Sequence, residues 1–152
     1  MRLLGLRMHS EAELTRKLRR RGYEAEDIDG VLASCLRLGY LDDARYATAL
    51  VERRAPSRGA SAMAAELRSK GIRRDAVDIA LAPVDREVEI ENATILFARY
   101  AQSATPVTER QLLDKVGPRL QRRGFGPQVV REACRRHLAE QAQTRAASNP
   151  LD

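Results

Sequence analysis

The sequence predicts an all-α fold of three tandem three-helix, helix-turn-helix-like repeats forming an elongated, curved array. A short signature written three times is the main reason: Leu18-Arg19-Arg20-Arg21-Gly22-Tyr23, Leu67-Arg68-Ser69-Lys70-Gly71-Ile72 and Leu120-Gln121-Arg122-Arg123-Gly124-Phe125. Its glycines lie 49 and 53 positions apart, a period that marks supersecondary units each too small to bury its apolar face alone. In addition, no stretch shows the two-residue alternation of a half-buried strand.

The apolar pattern around each glycine predicts a helix on both sides. Eight positions before it stand Leu14, Met63 and Val116, and four before it stand Leu18, Leu67 and Leu120. Ile28, Val77 and Val130 follow it by six positions, and Leu32, Leu81 and Cys134 by ten. Spacing of four places the members of each set on one helical face. Basic residues before the glycine suit a helix C-terminus, where cations meet the negative end of the macrodipole. Glycine suits the next position, which favours a left-handed backbone.

Helix starts agree with this scheme. Ser10-Glu11-Ala12-Glu13 and Thr108-Glu109-Arg110-Gln111 read as capping boxes opening the first and third signature helices. Asp42 or Asp43 can cap a helix running to Arg54, before Ala55-Pro56. Asp85 caps a long helix from about Arg86 to Gln102, and Gly126-Pro127 places proline in the first turn of the last helix. The domains read from the signatures are 1–41, 42–84 and 85–138, followed by a fraying or disordered tail over 139–152. Met1 is expected to fall inside the first repeat's opening helix, so that either this helix is shortened or the true start lies upstream.

Composition narrows the function classes. The chain has 152 residues, 43% of them hydrophobic but only 4% aromatic, so its cores must be built from aliphatic side chains. A net charge of +6 points to an acidic partner, nucleic acid or an acidic protein surface, although 32% charged residues also serve to solvate exposed helices. No apolar run approaches the roughly 20 residues of a membrane helix, and the start is too short for a secretory leader. Cys35 and Cys134 lack metal-site spacing and sit at apolar helical positions, as small core residues do. A cytoplasmic protein is expected.

Catalytic constellations are missing from the sequence. His9 lies at a helix boundary, and His137, beside Arg135 and Arg136, reads as a surface residue. There is no phosphate-cradling glycine loop. Asp42-Asp43 could suggest metal chemistry, but capping and the macrodipole explain acids at a helix start. The reading is a non-enzyme with no cofactor.

Leu38-Gly39-Tyr40-Leu41-Asp42-Asp43-Ala44-Arg45-Tyr46-Ala47 resembles the hallmark segment of the RecX family of bacterial recombination regulators. His9 to Leu14 with Leu18 and Arg21-Gly22-Tyr23 resembles that family's first repeat. Arg53-Arg54, Gly59 and Ala65 to Ile72 resemble its second, and Leu120 to Phe125, more faintly, its third. The resemblance spans residues 3 to 138. It implies a regulator that binds RecA, lodges in the groove of the RecA filament on single-stranded DNA, and inhibits strand exchange, ATP hydrolysis and coprotease activity. It also implies direct binding to DNA by some members.

Candidate contacts with RecA or with single- or double-stranded DNA are the basic residues at equivalent points: Arg16, Lys17, Arg19, Arg20 and Arg21; Arg68 and Lys70; Arg122 and Arg123. Regular stacking would align them as a stripe, adding weak contacts through multivalency; dipole compensation and solubility are the plainer explanation of each residue taken singly. Gly39, Tyr40, Leu41, Asp42, Asp43, Arg45 and Tyr46 carry the family motif and serve either a partner or the junction between the first two repeats. Arg45, opposed by the dipole in a first turn, is expected to find a carboxylate there. Tyr46 and Leu50, four apart, read as core. The chain is expected to be a monomer, and an independent basic helix-turn-helix DNA-binding module is the alternative.

Overall fold

The structure is a computed structural model that describes residues 8–102 and 108–148. Among the described residues it contains eight helices and no strand: α1 Glu11–Arg20, α2 Ala25–Arg37, α3 Asp43–Arg54, α4 Ala60–Ser69, α5 Arg74–Leu81, α6 Arg86–Ala101, α7 Glu109–Arg122 and α8 Pro127–Ser148. The signature helices are α1, α4 and α7, each followed by a glycine turn and a further helix, so the all-α repeat scheme holds.

Each signature glycine is left-handed, with φ of 84° at Gly22, 80° at Gly71 and 89° at Gly124. The turns share one hydrogen-bond pattern. Gly22 N–H donates to the Arg19 carbonyl and Tyr23 N–H to the Leu18 carbonyl; Gly71 and Ile72 bond to Arg68 and Leu67, and Gly124 and Phe125 to Gln121 and Leu120, in the same way. This is the Schellman motif, which satisfies the last carbonyls of a helix and brings an apolar residue after the glycine back over one four positions before it. The recurring leucine-to-glycine-to-apolar signature is therefore the written form of that motif. A fourth copy ends α2, where Gly39 has φ of 72° and Tyr40 N–H donates to Cys35 carbonyl at 2.8 Å. Cys35, Gly39 and Tyr40 have the same spacing as the other three.

Helix starts follow the expected chemistry with one exception. Asp85 accepts from Val88 N–H, Thr108 and Gln111 form a complete capping box, and Asp42 Oδ1 accepts from Arg45 N–H at 2.9 Å. Ser10 accepts from Glu13 N–H, but the Glu13 carboxylate does not return to close the box; it turns to Lys70 instead. Half of the predicted box at α1 has been diverted to a tertiary contact.

The chain forms two compact units, one of residues 1–53 and 64–83 and the other of 54–63 and 84–152. In the first, Leu14 and Leu18 of α1 pack with Ile28, Leu32 and Cys35 of α2 and with Leu41. In the second, α6, α7 and α8 bury Leu96, Phe97, Leu112, Val116, Leu120, Phe125, Val130 and Cys134. The aliphatic cores expected from composition are thus present, and both cysteines lie in them as free thiols. Tyr46 and Leu50 are buried as well.

His137 is buried rather than exposed, which corrects the surface reading; its ring lies 5.7 Å from that of Phe97. Val130, Cys134 and His137 follow one helical stripe, a spacing that marks the position as inward despite its arginine neighbours. His9 is also buried, and its Nε2 accepts from Lys17 Nζ at 2.8 Å. The stretch from Ala139 is exposed yet helical through Ser148. The shortened opening helix over residues 1–7 and the end of the tail lie outside the described residues.

Two of the glycine turns are also packing surfaces. A Cβ on Gly71 would strike Ala12, and one on Gly124 would strike Ala62, whereas Gly22 faces open space. Gly22→Ala is therefore expected to cost about 1 kcal/mol for the left-handed backbone alone. Gly71→Ala and Gly124→Ala add steric overlap and are expected to cost about 3 kcal/mol each. Urea unfolding followed by circular dichroism checks the difference.

Candidate functional site

The glycine turns organise the polar chemistry within each unit, and the same arrangement appears twice. In the first unit, the start of α1 meets the end of α4. Ser10 Oγ donates to the Lys70 carbonyl at 2.6 Å, and Lys70 Nζ reaches Glu13 Oε1 at 2.6 Å. In the second unit, the start of α4 meets the end of α7. Gly59 N–H donates to the Arg123 carbonyl at 2.9 Å, and Ser61 Oγ donates to the Gly124 carbonyl at 2.6 Å. Each time the residue twelve before one signature glycine bonds the carbonyl just before the next.

A carboxylate from the helix just before the one that ends in the glycine turn completes each junction. Asp43 Oδ1, at the start of α3, accepts from Glu11 N–H at 2.9 Å; Glu89 Oε1, in the first turn of α6, accepts from Ala60 N–H at 2.9 Å. Both N–H groups are first-turn donors that the helix itself leaves unpaired. An anion there also gains from the positive end of the macrodipole.

This arrangement sorts the predicted basic residues. Lys70 and Arg123 belong to the junctions: Lys70 pairs with the buried Glu13, while Arg123 donates to the Ser57 carbonyl at 3.1 Å and lies over the Tyr100 ring. Lys17 is partly buried against His9. Arg16, Arg19, Arg20, Arg21, Arg68 and Arg122 are exposed. Within the first unit the first four lie on the last two turns of α1 and its cap, where the dipole favours them.

The motif segment divides in the same way. Gly39 makes the α2 turn, Leu41 and Tyr46 enter the core, Asp42 caps α3 and Asp43 joins α3 to α1. Tyr40 is exposed. Arg45 is exposed and has no carboxylate partner among the described residues, so Asp43, not Arg45, forms the link expected at this point. Sequence reasoning missed Glu13, Glu89, Ser61 and Arg73; Ser61 and Glu13 are one residue from equivalent positions relative to their glycines, which is the available signal.

Titration behaviour is that of structural groups. Burial, aided by the Glu109 carboxylate, pushes the Cys134 thiol up to about 11. Hydrogen bonds from Arg136 at 2.7 and 3.0 Å hold Glu87 below the usual carboxylate range. No group of three or more metal-ligating side chains converges among the described residues. None of the described helices is long and apolar enough to cross a membrane.

Lys70→Ala removes the 2.6 Å ion pair to the buried Glu13 and is expected to cost about 2 kcal/mol. Arg68→Ala, one turn position away and exposed, is expected to stay within about 0.5 kcal/mol. Chemical denaturation of the two variants side by side checks this. Cys134 is expected to resist thiol reagents at pH 8 in the native protein and to react on unfolding. Because its folded value lies above its unfolded one, its neutral form favours folding. That contribution is present below about pH 9 and is lost as pH rises toward 11.

Comparison with known proteins fits this architecture. Residues 1–35 match the model of the first three-helix domain of RecX, and residues 42–81 match that of the second. A "Regulatory protein RecX" of Pelodictyon phaeoclathratiforme is 34% identical over 138 residues, covering 89% of this chain and 84% of the relative. One of Leptothrix cholodnii is 35% identical over 136 residues, with 89% and 84% covered. A crystal structure of regulatory protein RecX superposes with a TM-score of 0.74 at 26% identity, covering 84% of this chain and 65% of that one. The chain thus spans just under two thirds of that structure's length. RecX from Lactobacillus salivarius shares the fold, with a TM-score of 0.79 at 19% identity and 90% of each chain covered. On the strength of these matches, the chain belongs to the RecX family of regulatory proteins.

Proposed function

We propose that this protein binds RecA and its filament on single-stranded DNA, and that it inhibits the recombinase, ATPase and coprotease activities of that filament. Membership in a family whose members are named regulatory proteins is the observation that carries this reading. Six of the nine basic candidates remain exposed after the junctions have taken Lys70 and Arg123, which supports an acidic, extended partner. Tandem units suit such a partner, since each presents a similar weak contact to a repeating surface. In this reading the repeats are 1–41, 42–84 and 85–138, and the protein acts without a cofactor or catalysis of its own, as a cytoplasmic monomer.

Direct binding to DNA is the second reading, favoured by the run of exposed Arg19, Arg20 and Arg21. Salt separates the two. A sequence-independent DNA binder loses affinity steeply as salt rises, whereas action through RecA persists where naked-DNA binding has faded.

The test is DNA-dependent ATP hydrolysis by the cognate RecA at near-physiological salt, with the full chain titrated in. Inhibition well below one protein per RecA subunit is the expected result. Unchanged hydrolysis at every ratio, with naked DNA still bound, would sink the regulatory reading in favour of the DNA-binding module.

A further inference from the structure

Docking of α1 against the Gly71 turn creates a feature that the three signatures do not spell out. Ala12 lies over Gly71, where any side chain on the glycine would collide with it. Thr15, Arg16 and Arg19 follow Ala12 by three, four and seven positions, so they continue the same face of α1. Arg73, two residues past the glycine, is thereby brought beside Arg16 and Arg19. The three arginines line one open concavity of about 470 Å³, together with the carboxylates of Glu11 and Asp43.

The cations are available. Arg16 and Arg19 have no ion-pair partner among the described residues. Arg73 meets Asp75 at 3.3 Å, but both side chains are largely exposed, and such pairs are weak. Of the two lining carboxylates, Asp43 is committed through Oδ1 to the Glu11 amide. Three guanidinium groups against two carboxylates leave the concavity net positive, and a concave surface focuses such a field on a bound counter-ion.

We propose that this cleft seats backbone phosphates of a single-stranded nucleic acid, with Arg16, Arg19 and Arg73 as the contacts. The proposal deepens the filament reading above and rests on it for the biological source of the strand. Guanidinium groups match phosphate oxygens in bidentate geometry. The cleft is open, which suits a chain running past it and not a small molecule enclosed on most sides. No aromatic side chain lines it, so it offers no platform for base stacking and reads no sequence. Ala12 and Gly71 are its only non-polar residues, so no large apolar side chain is there to anchor an acidic peptide.

The test compares two full-length triple variants with the parent protein. One is Arg16→Gln, Arg19→Gln, Arg73→Gln. The other, matched in charge, is Arg99→Gln, Arg110→Gln, Arg131→Gln, three exposed arginines elsewhere. Circular dichroism first establishes that both are folded. Binding to a labelled oligo(dT) is then followed by fluorescence anisotropy across a salt series. Each single-strand phosphate contact contributes about 0.7 to the log–log salt slope, so loss of three is expected to lower it by about 2. The control variant is expected to change it much less. Equal losses in the two variants, or an unchanged slope in the first, would overturn the phosphate seat, as would a parent protein that binds no oligo(dT). Loss of binding to polyglutamate with oligo(dT) binding intact would assign the cleft to an acidic protein and also overturn it. RecA ATP hydrolysis measured with the parent protein is a separate readout. Its failure to respond would end the regulatory reading and leave the oligo(dT) result standing.

Discussion

The structure depends on a glycine that is both a helix stop and a seat. At the C′ position of α4 and of α7 the backbone must turn left-handed, which closes a Schellman motif, and the missing Cβ then admits the start of an earlier helix. Ala12 occupies that space at Gly71 and Ala62 at Gly124. Backbones this close bring donors and acceptors of distant segments within reach, and those they cover must find a partner. Ser10, Gly59 and Ser61 meet the carbonyls beside the two glycines, and Asp43 and Glu89 meet the amides at the starts of α1 and α4. Two junctions of different sequence thus solve the same accounting problem in the same places.

That accounting explains why charge is divided as it is. Arg21, Lys70 and Arg123 hold equivalent positions just before their glycines, but Lys70 and Arg123 are drawn into junctions while Arg21 is exposed. A basic residue at a helix C-terminus gains from the macrodipole in any case, so the position tolerates both uses. The acidic pair in the motif is likewise structural: Asp42 caps its own helix and Asp43 caps another. Of the basic contacts expected from the sequence, those left exposed are arginines near the ends of α1, α4 and α7, and Arg73 joins them; they suit an anionic partner.

Helix positions, the glycine turns and the aliphatic core were all legible in the sequence. The Leu14, Leu18, Ile28 and Leu32 pattern predicted its own burial, as did Val116, Leu120 and Val130. The fourth turn at Gly39 was written in the same spacing. His137 misled because its immediate neighbours are arginines, although its position on the Val130–Cys134 stripe faces the core. Local composition is a poor guide when one helical turn alternates between solvent and interior.

The sequence by itself determined the helices, their stops and their inner faces, because propensity, capping and left-handed turns act over a few residues. Only the tertiary structure decided which charged side chains serve the fold and which face a partner. Glu13 looked like half of a capping box until Lys70, 57 positions away, took its carboxylate. Arg73 stands just before α5 and carries no signal of its own in the sequence; only the packing of α1 places it in one cleft with Arg16 and Arg19. Those assignments depend on which helix start lies over which glycine, and that pairing is set by shape and hydrogen-bond satisfaction between segments distant in the chain.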